Sequence, residues 1–275
     1  MTLAEKIRNN FGSIQKRLYC GRIKPKKLIE KISLQEQNQT NDFADEQVWT
    51  FLLACGYAIA GSDGVKKLTS LLTGINELRS NTDKIWLEVL PVSPREREGQ
   101  THLDLSMGTI DLRSGTKSGI KLKQTIDSDS WIVFCEMKWY SDISYDVSYY
   151  PHRNQLSRVI ENAVAFQNNM KTADKIYVTL VTPETFMNEN NKSRFYCYKY
   201  EEYNNSPENI LKDFENCKLN KTSIYPNDIK IELSKLKLTW ISFESLFSSM
   251  PESVLSREIK QFEKSYNRTN QGFSI

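Results

Sequence analysis

The stretch WIVFCEMKW, residues 131 to 139, ends an apolar run with a glutamate and a lysine two positions apart. In a β-strand such residues share a face, so Glu136 and Lys138 continue the row of Ile132 and Phe134, while Val133, Cys135 and Met137 take the opposite side. A strand apolar on both sides belongs near the centre of a sheet. Two ionised groups at that depth lose hydration worth several kcal/mol each unless they find partners, so the pair reads as chemistry. The E-x-K pattern by itself is common. Glu258 and Lys260 repeat it, and Asp228 with Lys230 gives the aspartate version, both in polar surroundings. The strand context carries the inference.

A metal-dependent site built on such a pair needs at least one further carboxylate, because one alone holds Mg²⁺ weakly. Two aspartates compete to be the second. In THLDLSMG, residues 101 to 108, alternation puts Leu103, Leu105 and Met107 on one face and leaves His102, Asp104 and Ser106 on the other. Asp111 has the opposite parity and qualifies if Gly108 marks a bulge or turn that resets the phase. Its other reading is a turn-capping carboxylate ahead of RSGTKSG.

The elements that would position these groups follow from periodicity. Residues 2–19 and 25–35 read as polar-faced helices ahead of the connector LQEQNQTND, an N-terminal arm. DFADEQVWTFLLACGYAIAG, from Asp42, has an acidic first turn and apolar residues at helical spacing, and predicts a buried helix. Strand-like segments follow at 84–92, 101–112, 119–126 and 131–139, with short turns that imply antiparallel neighbours. Residues 152–169 place Leu156, Val159, Ile160, Ala163 and Val164 on one helical face, and KIYVTLVT (175–182) is a strand. RFYCYKY reads as an aromatic strand, LKLTWISFESLF as a strand running into a helix, and residues 251–266 as a closing helix.

A helix, three strands, a helix and a strand, with an aspartate on the second core strand and E-x-K on the third, resembles the PD-(D/E)xK, or restriction-endonuclease-like, nuclease superfamily over roughly residues 42–182. Residues 119–126 are then an added strand between the two motif strands. Leu103 stands where the motif has proline, and the interval from Asp104 to Glu136 is long. The resemblance implies an α/β fold: a restriction-endonuclease-like core (42–190) with a central mixed sheet flanked by helices, an N-terminal helical arm (1–41) and a C-terminal α/β extension (191–275).

It further implies a Mg²⁺- or Mn²⁺-dependent hydrolase acting on phosphodiester bonds. Asp104 and Glu136, with the backbone carbonyl of Met137, would hold the metal, and Asp111 is the alternative carboxylate. Lys138 would orient or help deprotonate the attacking water, and Gln155 would support the site from the following helix, with Arg158 one turn on. Glu46 fits either a first-helix glutamate of some members or a plain first-turn acid, and Glu88 is similar. Trp139, Tyr140, Tyr145, Tyr149 and Tyr150 fit either packing under a loop or stacking on nucleic acid. The reading requires the acidic group of an earlier strand to meet Glu136 and Lys138 in a pocket open to solvent.

Composition narrows the alternatives. The five cysteines are scattered and odd in number, which fits reduced thiols, and His102 and His152 stand apart from any cysteine pair, so no structural zinc is expected. No segment approaches the roughly 20 apolar residues of a membrane span, and the first residues lack the apolar core of a secretory signal. A cytoplasmic protein with no membrane partner is expected. GSDGVKKLT lacks P-loop spacing, and no G-x-S-x-G turn occurs.

A net charge of +3 and a pI near 8.4 permit a polyanionic partner. The basic run KRLYCGRIKPKK (16–27) fits a solvated helix end or a nucleic-acid contact. The resemblance implies nucleic acid as the partner, DNA in the first instance, and double-strand cutting by one site per chain would call for a homodimer. The competing reading is a noncatalytic nucleic-acid or protein-binding module that keeps the fold.

Overall fold

The computed structural model describes residues 1–38, 43–76, 78, 83–97, 100–124, 129–143, 153–187, 194–217 and 219–267. Helix α1 (Leu3–Ile14) starts on a Thr2/Glu5 capping box and is followed by strand β1 (Leu18–Cys20) and helix α2 (Pro25–Asn38). Helices α3 (Glu46–Ala58) and α4 (Gly61–Thr73) precede strands β2 (Ile85–Val89), β3 (Leu103–Gly108), β4 (Ile110–Leu112), β5 (Ile120–Leu122) and β6 (Trp131–Met137). Helix α5 (Gln155–Val164) leads through a small hairpin, β7 (Gln167–Asn168) and β8 (Lys171–Thr172), to β9 (Lys175–Thr182). Helices α6 (Phe195–Asn205), α7 (Pro207–Glu215) and α8 (Ile229–Ser234), strand β10 (Leu236–Ser242) and helices α9 (Phe243–Ser248) and α10 (Val254–Tyr266) complete the elements.

Six strands form one mixed sheet in the order β1-β2-β3-β6-β9-β10. β1 runs parallel to β2, β2 and β6 flank β3 antiparallel, and β9 and β10 run parallel to β6. Helices cover both faces. On one side Trp131, Val133, Cys135 and Met137 pack with residues of α1–α4, α9 and α10; on the other Ile132 and Phe134 pack with α5, α6 and α7. All residues of β6 are buried, as its two apolar faces require. Helix α3 is buried from Val48 to Ala58, which fits its all-round apolar composition between the sheet and neighbouring helices. Among the described residues no helix is long and apolar enough to cross a membrane.

Several segments differ from the sequence expectation. The first helix stops at Ile14, and Leu18–Cys20 pairs with Ile85–Leu87 as the outer strand of the sheet, so residues 1–38 contribute both to the core and to the sheet. RFYCYKY is helical: Tyr196, Cys197 and Tyr203 are buried at a spacing that one helix face satisfies and strand alternation does not. Residues 120–122 pair with 110–112 in a separate ribbon outside the main sheet, and Thr125 and Ile126 lie outside the described residues. Gly108, at φ 117, turns the chain between β3 and β4.

Candidate active site

The antiparallel register of β3 and β6 runs from Gly108↔Ile132 to Leu105↔Cys135. Continued, it would pair Leu103 with Met137. Instead the Met137 N–H donates to Asp104 Oδ2 at 2.8 Å, so a side chain takes the amide at the point where the ladder ends. On its other side β3 pairs Leu87↔Leu105 and Val89↔Leu103, passing over Glu88, which holds φ 47. A non-glycine residue in that region is a strained element of the kind that clusters at functional sites. The phase breaks here. Leu103 packs with Val89 in the cluster opposite Leu105 and Met107, not on one face with them as alternation predicted.

Beside this fork stands the E-x-K pair. Glu136 is 0% exposed and Lys138 6%. Lys138 Nζ lies 2.7 Å from Glu136 Oε1 and 3.6 Å from Glu46 Oε1. Glu46 belongs to the first turn of α3, whose N-cap Asp45 accepts the Val48 N–H at 3.1 Å. Its Oε2 accepts the Trp139 backbone N–H and the Ser141 hydroxyl, each at 3.0 Å. The Trp49 and Trp139 rings stack at 4.6 Å and lock α3 against the end of β6. Trp139 is therefore a packing residue, while Tyr145, Tyr149 and Tyr150 lie outside the described residues.

The charges act on one another. Burial, then the Glu136 carboxylate, pushes Asp104 well above the usual carboxylate range, with Lys138 opposing. Burial also raises Glu136, against the pull of Lys138. For Lys138 burial disfavours the ammonium, but Glu136, Asp104 and Glu46 outweigh it and raise its pKa, so the amine stays protonated. Burial raises Glu88 as well; its Oε1 accepts from Gln47 Nε2 at 3.1 Å, and the nearby Arg22 charge favours its ionised form.

Asp104, Glu136 and Lys138 thus converge: Asp104 lies on β3, Glu136 on the neighbouring β6 and Lys138 one residue past its end, although Leu103 does not share a face with Leu105 and Met107. The expected solvent-open pocket is not what surrounds the pair: Glu136 is sealed, and the partly exposed surface belongs to Asp104, Glu46 and Glu88. Asp111 is not brought to the site. Beyond Gly108 the chain leaves at the Trp131 end of β6, roughly 17 Å from Glu136 at about 3.4 Å per residue, and Asp111 is exposed, opposite Lys121, with its Oδ1 accepting the Leu112 N–H. Gln155 opens α5 behind the N-cap Asn154 and is partly exposed, and its side chain makes no hydrogen bond among the described residues. The α5 side chain that influences Glu136 is Arg158, buried one turn on, whose charge favours the carboxylate and whose Nη2 donates to Thr101 Oγ1 at 2.8 Å.

The donor set is hard. Asp104, Glu136 and the Met137 carbonyl offer oxygen, and Glu136 Oε2 is buried without a hydrogen-bond donor among the described residues. Oxygen ligands with water completing the shell are what Mg²⁺ selects, so the residues fit that ion. Among the described residues no group of three or more His, Cys, Asp or Glu is arranged to hold a metal, and the two-carboxylate set does not depend on one. The contacts of Glu46 and the fork at Glu88 were outside the reach of sequence reasoning, although the acid following an N-cap aspartate was a visible signal for the first. No family model matches the chain, no curated protein matches it and no solved structure matches it.

Proposed function

We propose that the chain is a metal-dependent nuclease hydrolysing phosphodiester bonds in DNA, on a core of restriction-endonuclease-like fold. The observation that carries this reading is the Asp104 carboxylate held on the Met137 amide at 2.8 Å beside the Glu136–Lys138 ion pair. The order α3, β2, β3, β6, α5, β9, with β6 and β9 parallel, supports the fold assignment.

Asp104, Glu136 and the Met137 carbonyl would hold Mg²⁺ or Mn²⁺, which when bound lowers the pKa of water and withdraws charge from phosphoryl oxygens. Lys138, kept cationic by Glu136, Asp104 and Glu46, sets positive charge where negative charge grows on the phosphate. A protonated lysine is no base, so its part is electrostatic and orienting. Glu46 fixes both this ammonium and the backbone at Trp139. The buried Arg158 offsets carboxylate charge from the α5 side.

Cleavage of supercoiled plasmid in Mg²⁺ or Mn²⁺ tests the reading. Asp104→Asn, Glu136→Gln and Lys138→Gln should each lower the rate about 10²-fold or more while gel-shift affinity stays near that of the parent. A parent protein that cleaves no nucleic acid in any divalent metal overturns it. The noncatalytic binding module then stands, a reading favoured by the complete burial of Glu136 and its ion pair with Lys138.

A further inference from the structure

Because Glu136 is sealed and Lys138 is only 6% exposed, a phosphate can approach the cluster from the side on which Asp104, Glu46 and Glu88 keep exposed surface. That side continues into a groove of about 270 Å³ lined by Arg22, Lys24, Lys27, Lys31, Gln47 and Glu88. Gln47 follows Glu46 in α3 and donates to Glu88, so the inner end of the groove is one residue from a contact with Lys138. Four cations meet a single carboxylate along it. Lys31 is tied to Asp45, and Arg22 Nη1 stands 3.1 Å from His102 Nε2. Lys24 and Lys27 are exposed and have no acidic partner among the described residues; the Lys27 N–H donates to the Lys24 carbonyl at 2.9 Å, which sets Lys24 just ahead of α2 and Lys27 in its first turn.

An acidic interior behind a basic mouth suits a ligand with repeated negative charge of which one unit is to meet a bound cation. We propose that this groove is the track of a nucleic-acid strand, with Lys24 and Lys27 binding backbone phosphates on the way to Asp104 and Glu136. The assignment rests on the nuclease reading for its destination, while its binding chemistry is independent of cleavage.

Fluorescence anisotropy of a labelled oligonucleotide with the full chain, in EDTA and again with a Lys138→Gln variant in Mg²⁺, tests it. Lys24→Glu combined with Lys27→Glu should weaken binding tenfold or more, and the corresponding double alanine variant should lower the slope of log affinity against log salt by about 1.4 to 1.8, as expected for two lost phosphate contacts. Lys212→Glu with Lys230→Glu, on α7 and α8, should leave affinity within twofold. Both groove lysines are exposed, and thermal melts monitored by circular dichroism verify that the variants stay folded. Affinity within twofold in the groove variants overturns the proposal. So does the absence of oligonucleotide binding by the parent chain, or equal competition by polyglutamate of matched charge, which would assign the groove to an acidic protein segment. Charge-dependent binding without any cleavage in Mg²⁺ would leave the track standing and remove only the nuclease reading.

Discussion

Glu46 reaches from the first turn of α3 to the Trp139 amide, 3.0 Å away, and thereby ties the start of a helix to the chain just past Lys138. Replacing Glu46 by alanine leaves a backbone donor without its acceptor, which costs about 1–3 kcal/mol, and frees Lys138 from one of its three carboxylates. Glutamine keeps the acceptor but not the charge. We expect Glu46→Ala to lower both stability and cleavage, and Glu46→Gln to restore most of the stability while leaving kcat depressed. Chemical denaturation beside single-turnover kinetics separates the two effects.

At the fork the partly exposed Asp104 stands beside the sealed Glu136, and desolvation followed by the Glu136 charge raises the pKa of Asp104. A carboxylate whose pKa is raised on folding binds protons more tightly in the native state, so stability rises as pH falls from the raised value toward the ordinary one near 3.9. Without divalent metal, Asp104→Asn should therefore melt higher than the parent at neutral pH and lose that acid-side gain, and in Mg²⁺ its cleavage should fall about 10²-fold. A variant that melts lower at pH 7 and retains the parent's pH profile would count against the repulsion described here.

Away from the site, Glu161 lies between Arg95 and Arg153, all three fully buried or nearly so. Arg95 Nη2 meets Glu161 Oε1 at 2.6 Å and also donates to the Phe214 carbonyl at 2.8 Å, which pins α7 to α5. Burial opposes ionisation of Glu161, but Arg153 and Arg95 prevail and hold its pKa below the usual range. The stability it supplies is present above the ordinary glutamate pKa and is lost as pH falls through the lowered one. Glu161→Gln leaves two guanidinium groups uncompensated and should cost roughly 3–5 kcal/mol, read from urea midpoints at pH 7.

At Gly108 a methyl group would run into the Trp131 carbonyl oxygen and the Ile132 Cα, at a φ of 117 that side chains avoid. Gly108→Ala should destabilise the fold by about 1–3 kcal/mol from backbone strain alone, with the steric clash adding to it. Equilibrium denaturation showing a change under about 0.5 kcal/mol, on the order of a neutral surface substitution, would contradict the turn described here.

The parts of this architecture that depend on local pattern were legible. KIYVTLVT forms β9 over the very residues 175–182 that its apolar run suggested, and the alternation in WIVFCEM separates the two cores as read. The choice between Asp104 and Asp111 turned on the direction the chain takes after Gly108, which spacing alone left open. RFYCYKY misled because aromatic residues favour strands while its burial follows a helix face. Leu18–Cys20 is too short to announce itself as a strand until Ile85–Leu87 is beside it. Glu46 with Trp139 and Arg95 with Glu161 join positions far apart in the chain, and no local pattern encodes such meetings.

The spatial order of the six strands is also their order along the polypeptide. Each can therefore dock onto a free margin during synthesis, and none must be threaded between two that already hydrogen-bond. The helical cover is less obliging: α10 seats Ile259 and Phe262 in the same apolar layer as Ile7 and Trp49, and Lys6 meets Glu258. Since α10 emerges after every strand, a nascent chain cut near Met250 would display that greasy layer, and quality-control proteases should clear it.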